Sequence, residues 1–165
     1  MMTMEKLENM EKIEAAQAAL GECLVSMMPV SWKKICYYYK KVGGSSTHRY
    51  AFIEAETKAI CAYNSFWRRY ENYPYERMEA EGKVIDLARA LHDAYLERFG
   101  EEKIWYEMYY TLNADGTVEI EFEYEKPTSE KQIDLSTPKA IFERFFHQEY
   151  KCLKGKYPEI SYYDH

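Results

Sequence analysis

Ile104-Trp105-Tyr106-Glu107-Met108-Tyr109-Tyr110-Thr111-Leu112-Asn113-Ala114-Asp115-Gly116-Thr117-Val118-Glu119-Ile120-Glu121-Phe122-Glu123-Tyr124-Glu125 carries the pattern that decides the fold. At its centre, Asn113 to Thr117 suits a type I turn, with Gly116 in the left-handed position of a bulge. Such a turn sets Leu112 against Val118, Tyr110 against Ile120, Met108 against Phe122 and Tyr106 against Tyr124. Every one of these pairs is apolar or aromatic. A slip of one residue would set each apolar side chain against a glutamate, so turn and pattern agree on one register. The stretch reads as two antiparallel strands, Ile104–Leu112 and Val118–Glu125, with an apolar face.

The same register gathers Trp105, Glu107, Tyr109 and Thr111 on the opposite face, across from Glu125, Glu123, Glu121 and Glu119. Alternate side chains on a strand lie roughly 6–7 Å apart, so five glutamates and two large aromatics share a small surface. Facing like charges, here Glu107 and Glu123, are mildly destabilising. Residues 101–125 hold eight acids and one lysine, a net of −7, while the whole chain carries −6. The acidity is therefore local. Glutamates on an outer strand face can serve solubility alone, or they can form a negative surface that receives a basic partner. Carboxylates beside Trp and Tyr also occur in sugar sites, although nothing in this strand face raises one carboxyl selectively.

Outward from the hairpin, apolar periodicity supplies the remaining elements. Leu7, Met10, Ile13, Ala16, Leu20, Leu24 and Met27 form a stripe on a first helix that ends before Pro29. Strands follow over Trp32–Lys41 and Thr47–Ala55, split by Gly43-Gly44-Ser45-Ser46, with a weaker third at Ala59–Tyr63. Asn72-Tyr73-Pro74 breaks the chain before a second helical stripe of Met78, Val84, Ala88, Leu91, Tyr95 and Phe99, capped by Gly100. Thr137-Pro138 opens a third helix with Ile141, Phe145, Phe146, Tyr150 and Leu153 on its apolar face. The order α-β-β-(β)-α-β-β-α predicts an α+β fold. Its antiparallel sheet has about five strands, and three helices pack mainly on one face.

Composition bounds the function. The 165 residues fit a single domain, and 47% apolar content with 17 tyrosines gives ample core. An acidic chain is poorly suited to bind free nucleic acid directly. Cys23, Cys36, Cys61 and Cys152 form no C-x-x-C pair and read as packed thiols of a reducing compartment. Cys36 and Cys61 could lie close if their strands pair. His48, His92, His147 and His165 show no ligand spacing, so neither a metal nor another cofactor is expected. Arg68-Arg69 beside Trp67 reads as an exposed or salt-bridged pair. With no nucleophile motif, P-loop or dinucleotide fingerprint, the expectation is a protein without catalytic residues. The charged N-terminus and the absence of an apolar run of ~20 residues predict a cytoplasmic chain that does not span a membrane.

Two segments resemble the YezG-like immunity proteins, which protect bacteria from toxins of polymorphic and contact-dependent systems. One is Met28-Pro29-Val30-Ser31-Trp32-Lys33-Lys34-Ile35-Cys36-Tyr37-Tyr38-Tyr39, a helix end followed by Trp and a tyrosine-bearing strand. The other is the hairpin Trp105 to Tyr124, aromatic on one face and acidic on the other; Glu149-Tyr150-Lys151 is a weaker echo. The resemblance implies a non-catalytic inhibitor with one immunity-type domain over residues 1–165 and a toxin as its partner. Toxin partners of this family are often nucleases, whose basic surfaces would suit the local acidity. On this reading Trp105, Glu107, Tyr109, Glu119, Glu121, Glu123 and Glu125 form the partner-binding surface. Trp105 and Tyr109 would be its anchors. Alternatives are a carbohydrate-binding or carbohydrate-acting protein using the same face, and a non-catalytic adaptor.

Overall fold

The computed structural model describes residues 4–58, 60–62 and 75–126, and the expected third helix lies outside them. Within that span the chain forms α1 (Met4–Ser26), β1 (Trp32–Val42), β2 (Ser45–Glu54), β3 (Ile60–Ala62), α2 (Tyr75–Phe99), β4 (Glu107–Asn113) and β5 (Val118–Glu123). The five strands make one antiparallel sheet in the order β3-β2-β1-β4-β5. The α+β class and the antiparallel five-stranded sheet are as expected, with two of the three anticipated helices described.

Hairpin chemistry sets the sheet. In the β4–β5 turn, Gly116 N–H donates to Asn113 O at 2.9 Å with φ of +90°, where any side chain would be strained. Asp115 Oδ1 accepts from Thr117 N at 2.9 Å and Thr117 Oγ1 at 2.7 Å, bracing the turn. The resulting register pairs Leu112 with Val118, Tyr110 with Ile120 and Met108 with Phe122, as the pattern requires. The first hairpin is tighter than expected. Val42 pairs with Ser45, so only Gly43 and Gly44 remain in the turn, and Ser45 and Ser46 belong to β2.

One face of the sheet carries both helices. Tyr37, Tyr39, Tyr50, Phe52, Met108 and Tyr110 pack beneath Leu20, Leu24 and Met27 of α1 and Val84, Ala88 and Leu91 of α2. The helices run antiparallel to each other: Lys12 meets Glu97 at 3.1 Å, while Cys23 donates to Ala80 O at 3.5 Å near the other ends. Leu7 and Met10, expected in the buried stripe, are 44% and 38% exposed; α1 reaches the core only from Ile13 onward. Cys36 and Cys61 are both buried thiols, but β2 lies between their strands. Cys61 sits opposite Phe52 and Cys36 opposite Ala51, which places the two on opposite faces of the sheet.

Candidate functional site

Strand register places Glu119, Glu121 and Glu123 on the face away from the helices, in rows shared with β4 and β1. Thr111 joins Glu119 to Cys36; Tyr109 joins Glu121 to Tyr38; Glu107 joins Glu123 to Lys40. Glu119, Glu121 and Glu125 are exposed, and Glu123 is half-buried. Glu121, Glu123 and Glu125 are each engaged in a polar or electrostatic interaction. Farther along the rows, Lys40 and Arg49 of β1 and β2 share this face. The surface thus grades from acidic at β5 to cationic at β1 and β2, and its negative end is narrower than the sequence suggests.

Three residues expected on that open surface are inside the protein. Trp105 is 1% exposed and belongs to the helix-side core, not to the acidic face. The β4 ladder begins at Glu107, so two-residue alternation does not govern Trp105. Its indole stacks on Phe122 with centroids 5.0 Å apart and meets His92 edge-on at 4.7 Å. Burying so large a ring outweighs continuing the pleat. Glu107 keeps the expected face but is fully buried, as is Tyr109 at 3% exposure. Tyr38 hydroxyl donates to Glu107 Oε1 at 2.5 Å, and the Tyr38 and Tyr109 rings lie 5.0 Å apart. Burial, then the Glu107 hydrogen bond, pushes the Tyr38 phenol far above its ordinary range, so it remains a donor. Glu107 Oε2 has no hydrogen-bond partner among the described residues.

For Glu107 and Tyr109 the physical reason is that β4 is an inner strand. Only β5 lies outside it among the described strands, while β1 covers its other edge. The signal was in β1: Ile35-Cys36-Tyr37-Tyr38-Tyr39 is an unbroken apolar run, all buried, and such a run marks a strand covered on both faces. A sugar platform at Trp105 or Tyr109 has no open ring to use.

Periodicity gave no warning of a second feature. A groove of about 550 Å³ lies between the outer side of α1 and the β4–β5 hairpin. Ala18, Gly21 and Val25 form one wall, Tyr110, Leu112 and Val118 the other, and Glu14, Gln17 and Glu22 complete the lining. Gly21 permits this close approach, since a Cβ there would stand 2.7 Å from the Tyr110 hydroxyl. Val25 and Val118 are 41% and 45% exposed.

Other titratable groups are structural. Burial, and then the nearby Arg49 charge, lowers His48 to about 4, and its Nδ1 lies 2.9 Å from the Tyr37 hydroxyl. Burial likewise lowers His92, whose Nε2 is 3.2 Å from Trp105 O. Among the described residues no group of three or more His, Cys, Asp or Glu could hold a metal ion. No helix among them is long and apolar enough to cross a membrane.

Compared with known proteins, residues 13–163 match the family model described as "Immunity protein YezG-like", a span covering most of the chain. No curated protein matches the sequence.

Proposed function

Because the chain belongs to the YezG-like immunity protein family, we propose that it is a single-domain, non-catalytic, cytoplasmic antitoxin that binds and neutralises one cognate toxin, a nuclease with a basic surface. The observation that carries this reading is the family match together with the exposed glutamates at the outer strand. A nuclease must present cations to phosphate, and a surface built to hold a polyanion also attracts an acidic protein. Glu119, Glu121, Glu123 and Glu125 form the steering rim. Charges at a rim chiefly raise the association rate and suppress wrong partners, while buried apolar groups hold the complex. Trp105 and Tyr109 are buried in the fold, which favours other residues as those holding groups.

The test is co-expression with a toxin domain sought in the gene neighbouring this one. Growth rescue by the intact protein is expected, together with inhibition of nucleic-acid cleavage by the purified pair. Failure to rescue growth, with both proteins folded and present, would remove the antitoxin reading. Rescue from a toxin that leaves DNA and RNA intact would remove the nuclease.

A further inference from the structure

We infer that the groove between α1 and the β4–β5 hairpin is where the toxin anchors, by inserting apolar side chains from a cationic segment; this rests on the antitoxin reading above. The groove offers what the acidic rim lacks. Its walls are largely apolar, formed by Ala18, Val25, Leu112 and Val118 with the ring of Tyr110, and its volume suits a cluster of side chains. Val25 and Val118 leave two-fifths or more of their surface open to water, an arrangement that burial against a partner would relieve.

Charge identifies the occupant. Among the described lining residues Glu14 and Glu22 are the ionisable carboxylates, and no lysine or arginine joins them. The helix that carries them has five glutamates and two lysines, and one of those lysines, Lys12, is already held by Glu97. Val118 lines the groove from the helix side of β5, and the next residue, exposed Glu119, projects from the opposite face of that strand, so the rim begins around the strand's edge from the groove. A segment with apolar side chains flanked by Lys or Arg would satisfy walls and rim together. A second copy of this chain fits poorly, because a two-fold contact here would bring Glu14 and Glu22 against their own equivalents.

The experiment titrates the full chain with that same toxin domain, comparing the natural protein with V25K/V118K. Both sites are exposed, so the free variant should keep its melting temperature while its Kd rises about 10-fold or more, mostly through faster dissociation. A18R, at an exposed position on the α1 wall, repeats the test from the helix alone and should act in the same direction. A Kd within about twofold of the natural protein for both variants would overturn the proposal while leaving the antitoxin reading intact. A natural protein that does not bind the toxin domain would instead overturn that reading. A natural protein that is dimeric in light scattering, with V25K/V118K monomeric, would assign the groove to a second copy. A fall in melting temperature of the free variants would show the groove to be filled from within the chain. Either result overturns the toxin as occupant.

Discussion

Strands β1 and β5 belong to one sheet yet answer to different rules. In β1, Ile35 through Tyr39 are all buried, so side chains on both faces of the strand are enclosed. In β5, Val118 through Glu123 include no buried residue, and the strand alternates apolar with acidic throughout. Strand β4 stands between them and takes the character of each neighbour in turn: its start, Glu107 to Tyr110, is buried, and its end is half-open. The lesson is that position within the sheet, not the pattern of one hairpin, decides whether a carboxylate is displayed or enclosed. Glu107 and Glu123 are direct partners across β4 and β5, yet the first is fully buried and the second is not.

That contrast is broken most sharply at Trp105. As a core ring between Phe122, His92 and Tyr95, its replacement in Trp105→Ala should cost about 3–5 kcal/mol of stability. Urea unfolding measures this directly. A variant that keeps its stability but loses toxin binding would return Trp105 to the surface and reverse the assignment.

Next in size is the enclosed carboxylate. Tyr38→Phe removes the only hydrogen bond described for Glu107 Oε1 and should cost about 1–3 kcal/mol, because a buried acceptor is left unmet. Adding Glu107→Leu should recover part of that loss, since replacing both partners by apolar groups removes the unmet demand. If Tyr38→Phe unfolds at the same urea concentration as the natural protein, Glu107 is reached by water and the two ends of the sheet are more alike than described.

How much of this was legible in the sequence follows the same division. Register was readable throughout β4 and β5, because Asp115-Gly116 fixes the turn and a slip would set every apolar residue against a glutamate. Burial was not readable from that hairpin, because alternation shows which face a residue takes and is silent on what covers the face. Tyr38, the partner of Glu107, lies 69 residues away, and only strand order brings them together. Trp105 escaped for another reason: it precedes the ladder, so extending the pleat to it was unwarranted. The groove beside α1 is invisible to periodicity, since it arises where Gly21 lets the helix approach Tyr110 and leaves space alongside.

A smaller effect comes from the histidines of the enclosed side. His48 takes up its proton near pH 6.5 when unfolded but at about 4 in the fold, so the unfolded chain binds more protons between those values. Its contribution is fully present above pH 6.5 and is lost as pH falls toward 4. Discounted for its partial exposure, the loss is about 1–2 kcal/mol, with His92 acting in the same direction. The difference in urea midpoint between pH 7 and pH 4.5 should shrink in His48→Gln, which does not titrate. An unchanged difference would mean that His48 is as wet as the β5 edge.

The smallest effect on stability is expected where the strand is open. Reversing charge in E119K/E121K touches exposed side chains, and the interaction that Glu121 makes is screened by solvent, so the free protein should change by no more than about 1 kcal/mol. Toxin binding should respond differently. Rim charges act before contact, so the association rate should fall and its decline with added salt should flatten, while dissociation changes little. Stopped-flow association across a range of salt concentrations separates the two. Should the same pair of substitutions destabilise the free fold by several kcal/mol, Glu119 and Glu121 would be structural in the way Glu107 is. The distinction between enclosed and displayed carboxylates would then no longer hold at either edge of the hairpin.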